Sequence, residues 1–243
     1  MGQFFVQQIA ETDVDLDIIQ SADEANVVLM FSGGRDSTLA AARLNSIGVP
    51  VTLVTITSKH LEGIGRVHLR LAELARTLPP GTDWLHIEQP DQLQTDTSFY
   101  DQTCLPCHHA YVVVSVAIAK KINASKMAFG YTHYQSDWPE QTPLAIARLK
   151  TTLARHGIEL LLPVYDLPSR EVAIEELGAY GLSTSSLEQK CLRQITNVAL
   201  SEERLIQQVD LWEDAIERSM LNIADIAISV ISHKKIGDFH DGA

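Results

Sequence analysis

Short apolar runs and helix-period segments alternate along most of this chain. Residues 26–31 (Asn-Val-Val-Leu-Met-Phe) form an apolar run of the length and composition of a buried parallel strand. Residues 51–57 form a second run, rich in β-branched side chains. Shorter runs follow at 84–87, 126–131 and 158–164. Between them lie helical patterns at 38–44, 66–77, 107–122, 142–156 and 169–180, and a longer one at 201–220. Pro79-Pro80-Gly81 stops the helix at 66–77, and Ser169 is placed to cap the one that follows it. Residues 89–102 carry neither period and read as a loop, 233–243 as a polar tail with frayed ends, and 4–9 as an additional strand.

Strands alternating with helices imply right-handed crossovers and a mostly parallel sheet covered on both faces. The expectation is therefore an α/β, doubly wound sheet of about five strands. Its first 200 residues form one nucleotide-binding domain, and residues 201–243 pack on that domain as a helical extension. In such sheets ligands sit at the carboxyl ends of the strands.

The most informative segment lies at such an end. Ser32-Gly33-Gly34-Arg35-Asp36-Ser37 joins the first strand to a strong helix former. Two glycines allow unusual backbone angles and close approach of a ligand. The helix start offers unpaired N–H groups and the positive end of its dipole to an anion, and Ser32 and Ser37 add hydroxyls. The Gly-Lys-Ser/Thr of a Walker loop is missing. The segment resembles the SGGxDS loop of the PP-loop ATP pyrophosphatases, with an adenine nucleotide alpha hydrolase-like fold. That resemblance implies an enzyme that binds ATP with Mg2+, adenylates a substrate carbonyl or carboxylate oxygen and releases pyrophosphate. Ser32, Gly33, Gly34, Arg35, Asp36 and Ser37 would hold the phosphates, with Asp36 fixing the loop and the metal. The backbone near Thr55 and Thr57 would meet adenine.

Three cysteines form the second constellation. Cys104 and Cys107 make a Cys-x-x-Cys at a helix start, and Cys191 stands alone in a second irregular stretch. From the residues, three readings stay open: a redox pair, zinc completed by a histidine, or a 4Fe–4S cluster on three cysteines. Three unligated thiols are the bland alternative. The CxxC follows the glycine loop by about 70 residues and the lone cysteine follows by about 85 more. This layout resembles the tRNA 2-thiocytidine and 2-thiouridine synthetases. There the resemblance implies that Cys104, Cys107 and Cys191 hold a cluster and that sulfur replaces the adenylated oxygen.

Phe129-Gly130-Tyr131-Thr132-His133-Tyr134-Gln135-Ser136-Asp137 follows the fourth strand. It resembles a second nucleotide motif of the same superfamily, with Gly130 allowing close backbone approach and His133 and Asp137 as catalytic candidates. Only one histidine is clear, and a loop histidine with an ordinary partner explains it equally well. Trp138-Pro139-Glu140 and Ser169-Arg170-Glu171 resemble segments of the 7-cyano-7-deazaguanine synthases of queuosine synthesis, which implies ligase chemistry on a deazaguanine carboxylate. That family's four zinc cysteines have no counterpart after Cys191. A nucleotide-binding regulatory module without turnover is a further alternative.

Charge limits the partners. Nineteen Lys and Arg against 31 Asp and Glu give a net charge of −12, which disfavours nucleic acid as acceptor relative to a small molecule, a nucleobase or a protein. Arg66, Arg70 and Arg76 on one helix read as a solvated face. No signal peptide or membrane-length run is apparent, and an odd cysteine count suits the reducing cytoplasm. The apolar positions of the last helix, Leu205, Val209, Leu211, Trp212 and Ile216, suit packing or a homodimer contact.

Overall fold

The computed structural model describes residues 25–93, 103–193 and 200–239. The expected strand at 4–9 and most of the loop at 89–102 lie outside the described residues. In chain order the elements are β1 (Val27–Met30), α1 (Arg35–Ser46), β2 (Val51–Thr57), β3 (Leu61–Glu62), α2 (Ile64–Leu74), β4 (Asp83–Glu88) and α3 (Leu105–Lys121). There follow β5 (Lys126–Ala128), α4 (Pro143–Arg155), β6 (Glu159–Leu161), α5 (Arg170–Ala179), β7 (Lys190–Cys191), α6 (Glu202–Leu221) and β8 (Ser229–Lys235).

Six strands make the main sheet in the order β6-β5-β1-β2-β4-β8, and β3 pairs with β7 in a separate antiparallel ladder. β6, β5, β1, β2 and β4 are parallel, as the alternating pattern predicts. The sixth strand is a correction. β8 pairs antiparallel with β4, so the expected polar tail begins inside an edge strand, at 233–235. Its charges conceal it: His233 and Lys235 both reach Asp83 Oδ1, at 2.5 and 2.6 Å. An edge strand accepts such side chains, which also discourage pairing with another chain.

Side-chain alternation divides the core. Val28, Met30, Val54 and Ile56 face α3, α4 and α6, whereas Val27, Leu29, Leu53 and Trp84 face α1, α2 and α5. Val209, Trp212, Ile216 and Met220 of α6 are buried in the first of these cores, while Leu211 is 38% exposed. No helix among the described residues is long and apolar enough to cross a membrane.

The strand order places the site. From β1 the chain steps outward to β2 and β4, then crosses back through α3 to β5 on the other side of β1. The carboxyl ends of β1 and β5 therefore flank a topological switch point, where open α/β sheets form their ligand crevice.

Candidate active site

The glycine loop leaves β1 at this switch point. Gly33 has φ +81°, a left-handed conformation that disfavours side chains. A Cβ there would also lie 3.0 Å from the Leu187 carbonyl oxygen. Gly34 occupies the N-cap of α1 and supplies no capping side chain, so the first-turn N–H groups stay available to a ligand. Ser32 Oγ accepts from the Gly34 N–H at 3.2 Å and lies 3.1 Å from Ser37 Oγ. The Thr38 hydroxyl donates to the Gly34 carbonyl at 2.6 Å and steadies the turn.

The second loop locks onto the first. A Cβ on Gly130 would meet Ser37 N at 2.6 Å and the Asp36 carbonyl carbon at 2.8 Å, so only glycine permits this backbone contact. Asp36 accepts from the Tyr134 hydroxyl at 2.6 Å and from Gln135 Nε2 at 2.7 Å. Burial raises the Asp36 carboxyl above its ordinary value, although both hydrogen bonds pull the other way. These contacts come from the two residues after His133. His133 itself is exposed, with its ring 5.8 Å from that of Tyr165, and Asp137 is also exposed. Neither lines the central cavity. The reason is local: a 3-10 turn at His133–Gln135 sets successive side chains about 120° apart, so Tyr134 and Gln135 reach Asp36 while His133 points outward.

A strap over residues 183–189 covers the loop, and α2 holds it. Arg70, fully buried, donates to the carbonyls of Ser183 (2.9 Å) and Ser185 and pairs with Glu73 at 2.5 Å. Arg66 donates to the carbonyls of Glu188 (2.9 Å) and Ser186. Arg66 and Arg70 are thus structural clamps, not the solvated face the helix pattern suggests; the signal for this was Arg70 lying at the spacing of the buried Val67 and Leu74. Arg35 reaches the Thr184 carbonyl at 3.2 Å. Glu188 brings a buried carboxylate oxygen with no hydrogen-bond partner among the described residues, 3.3 Å from where a Gly34 Cβ would stand.

At the end of β2 the two threonines differ. Thr55 is buried, donating to the Phe31 carbonyl at 2.7 Å and accepting from Trp84 Nε1 at 2.9 Å, so its hydroxyl serves the core. Thr57 donates to Gln189 Oε1 at 2.7 Å and lies 2.6 Å from His86 Nε2. Gln189 Nε2 in turn donates to the Ile56 carbonyl at 3.1 Å. Burial holds His86 down at about 4.

A cavity of about 360 Å³ begins at the glycine loop and extends past Gly130 to His108, Tyr111 and Tyr131. Beyond that wall the three cysteines come together from two elements. Cys104 and Cys107 sit at the start of α3, with Pro106 in its first turn, and Cys191 ends β7 opposite Leu61. Tyr111 feels the charge of all three sulfurs and of Glu140, although burial is the main reason its hydroxyl is raised well above its usual range. None of the three is in a disulfide. Burial pushes Cys104 far up and Cys107 to about 11, with the Arg193 guanidinium opposing it at Cys107. No group of three His, Cys, Asp or Glu among the described residues is arranged to hold one metal ion. A mononuclear zinc needs donors about 2.0–2.3 Å from one point. A cluster spreads its cysteines over separate irons and has no such requirement, so three neighbouring free thiols fit that donor set better.

Glu140, which the sequence marks only as part of the Trp-Pro-Glu segment, stands behind the His108 wall. It is only 2% exposed, burial raises its carboxyl to about 7, and its Oε2 lacks a partner among the described residues. His108, held neutral by burial, lies 3.7 Å from Glu140 Oε1 and 2.6 Å from the Tyr131 hydroxyl. Ser169 caps α5 by accepting from the Val172 N–H, and the Glu171 carboxylate hydrogen-bonds Ser169 in turn.

No family model matches the chain, and no curated protein matches it in sequence. Solved structures do. A 4-thiouridine synthetase crystallised with RNA and bound ATP superposes with a TM-score of 0.57 at 16% identity, over 85% of this chain and 55% of that one. A predicted subunit of a tRNA methyltransferase from Methanocaldococcus jannaschii DSM gives 0.47 at 18% identity, over 65% and 89%. The U34-tRNA thiolase NcsA from Methanococcus maripaludis, with its 4Fe-4S cluster, gives 0.49 at 16% identity, over 87% and 75%. The chain spans about half the length of the synthetase. The fold shared with the 4-thiouridine synthetase is the mostly parallel α/β architecture that the alternating pattern predicts.

Proposed function

We propose that this protein is an ATP-dependent sulfurtransferase that activates a nucleobase carbonyl oxygen by adenylation and replaces it with sulfur. One observation carries the reading: a single cavity runs from a glycine loop with free N–H groups to Tyr111, which stands within electrostatic reach of three free thiols. The 4-thiouridine synthetase that shares the fold binds ATP and RNA, which supports a nucleobase as acceptor.

In the first step the acceptor oxygen attacks the α phosphorus of ATP, the bond to the β-phosphate oxygen breaks, and pyrophosphate leaves. The N–H groups at the start of α1 and the hydroxyls of Ser32 and Ser37 cradle the phosphates. Asp36, fixed by Tyr134 and Gln135, keeps the two loops in register. The unpartnered Glu188 oxygen beside Gly34 would repel phosphate unless a cation stood between them, so Glu188 fits a role in holding Mg2+. Arg35 adds positive charge at the cavity wall. Positioning and charge neutralisation supply most of the acceleration.

In the second step sulfur attacks the activated carbon and AMP departs. Cys104, Cys107 and Cys191 would hold the cluster, which when bound supplies a coordinating iron for the sulfur being transferred; three cysteines leave that position free. His108, half-buried on the cavity wall with the buried Glu140 behind it, would keep water away from the activated carbon and present a polar atom to the base.

Anaerobic purification with iron and sulfide analysis, followed by ATP turnover with bulk tRNA, tests this. About four irons with matching sulfide, AMP and pyrophosphate as products, and a thiolated nucleoside in the digest are expected. ADP and phosphate as products would overturn the adenylation step. A chain that takes up no iron would overturn the sulfur step.

A further inference from the structure

Among the described residues, His60 links the two halves of the cysteine patch, its backbone on one side and its side chain on the other. It follows β2, and its backbone carbonyl accepts from the Leu192 N–H at 2.8 Å, directly beside Cys191. The next residue, Leu61, is the register partner of Cys191 in the β3–β7 ladder. The imidazole then leaves this ladder for α3, where Nε2 lies 3.4 Å from Cys107 Sγ. Ser58 Oγ lies 2.9 Å from Nδ1 and 3.3 Å from Nε2 of the same ring, in line with neither nitrogen.

A cysteine sulfur that ligates a cluster is a thiolate with no proton to give, so against it Nε2 carries the proton and donates, and sulfur is the acceptor. Hydrogen bonds to cluster sulfurs draw charge from the ligand and raise the reduction potential. The 3.4 Å spacing also separates this role from ligation. In a cubane each iron takes one external ligand, so two side chains whose donor atoms nearly touch do not serve two irons.

We infer that His60 donates a hydrogen bond from Nε2 to the Cys107 thiolate and so sets the reduction potential of an iron–sulfur cluster held by Cys104, Cys107 and Cys191. His60 is a positioning residue, and the inference rests on the cluster reading given above.

The test uses the full chain, reconstituted anaerobically with iron and sulfide, as wild type, His60→Ala and His60→Gln. Iron and sulfide are counted, and the reduction potential is read by an electron paramagnetic resonance titration. The expected result is equal iron in all three and a lower potential in His60→Ala. At a fixed electrode setting the oxidised-to-reduced ratio should shift at least tenfold, about 59 mV for one electron. His60→Gln, which keeps an N–H donor, should recover part of the shift. Equal potentials at equal iron overturn the inference and leave the cluster reading standing. A nitrogen coupling of ligand strength in the wild-type spectrum overturns it as well, by making His60 a ligand. Wild-type chain without iron overturns both readings, and that result is distinguishable because it precedes any variant.

Discussion

The glycine loop, which lines the cavity, and the cysteine patch, which lies near its Tyr111 wall, are built in opposite ways. The loop is contiguous: six residues running from just after β1 into the first turn of α1, tied down by its own serines, by the loop after β5 and by the strap. The patch draws on residues 60, 104, 107 and 191, and the strand that carries Cys191 is only two residues long. A site assembled locally is rigid by construction. One assembled across the chain depends on whatever holds its distant parts, here the arginines of α2 and the β3–β7 ladder. The difference separates two kinds of failure. Damage to the loop should remove ATP chemistry, and damage to the clamps should loosen the cysteines.

The largest effect is expected at the contact between loops. Gly130→Ala drives a methyl into the backbone of Asp36 and Ser37, and overpacking of this kind costs about 1–3 kcal/mol. The displaced helix start should lower pyrophosphate release roughly 100-fold, because a misplacement of about 1 Å suffices for that loss. Asp36→Ala should act similarly, by leaving Tyr134 and Gln135 without their acceptor. Steady-state pyrophosphate release, with circular dichroism to check folding, decides; near wild-type rates would refute the phosphate role of the loop.

The clamp should break more gently. Arg66→Ala removes two charged hydrogen bonds to the strap, each worth about 1.5–3 kcal/mol when well made. Even partial loss should raise the open population about tenfold, since 1.4 kcal/mol is one decade. Iodoacetamide labelling of Cys191 in the apo chain, followed by mass spectrometry, should accelerate by that factor. An unchanged rate would mean that the ladder alone holds Cys191.

Acidity should separate the two regions again. His86, beside Thr57 on the nucleotide side, is held near 4 in the fold against an ordinary 6.5. Between those values the unfolded chain binds a proton that the folded chain refuses, so stability falls as pH drops through that window. Glu140, on the cysteine side, is raised to about 7 against an ordinary 4.5. Its contribution is full below 4.5 and is lost as pH rises through about 7. Denaturant titrations should therefore show His86→Gln flattening the acid limb and Glu140→Gln flattening the alkaline limb. Limbs unaltered by either variant would remove both groups from the account.

The same contrast explains what the sequence reveals. The loop is readable because its chemistry, its strand and its helix adjoin in sequence, and the parallel sheet follows from alternation alone. The cysteine spacing points to three relevant thiols without indicating what joins them. His60 is invisible because its contact depends on pairing with a strand about 130 residues later. His133 stands out by residue type, yet a single 3-10 turn exposes it and directs Tyr134 and Gln135 to Asp36 instead. β8 is hidden by the charges that suit an edge, and Glu140 by a Trp-Pro turn that reads as surface.

The smallest effect should come from Gln189, where the strap meets the nucleotide end. Its carboxamide donates to the Ile56 carbonyl and accepts from Thr57, so it presents a donor and an acceptor side by side at the carboxyl end of β2. The edge of adenine presents the same pair. If adenine takes that place, it must first displace the carboxamide, forfeiting two hydrogen bonds of about 0.5–1.5 kcal/mol each, offset by those it makes itself. Gln189→Ala removes that competition in advance, and ATP should bind about three- to tenfold tighter by calorimetry. Weaker binding would instead make Gln189 a direct contact of the nucleotide. In either case Gln189 stands two residues from Cys191 on one strap, so occupancy of the nucleotide end bears on the strand that carries a cysteine.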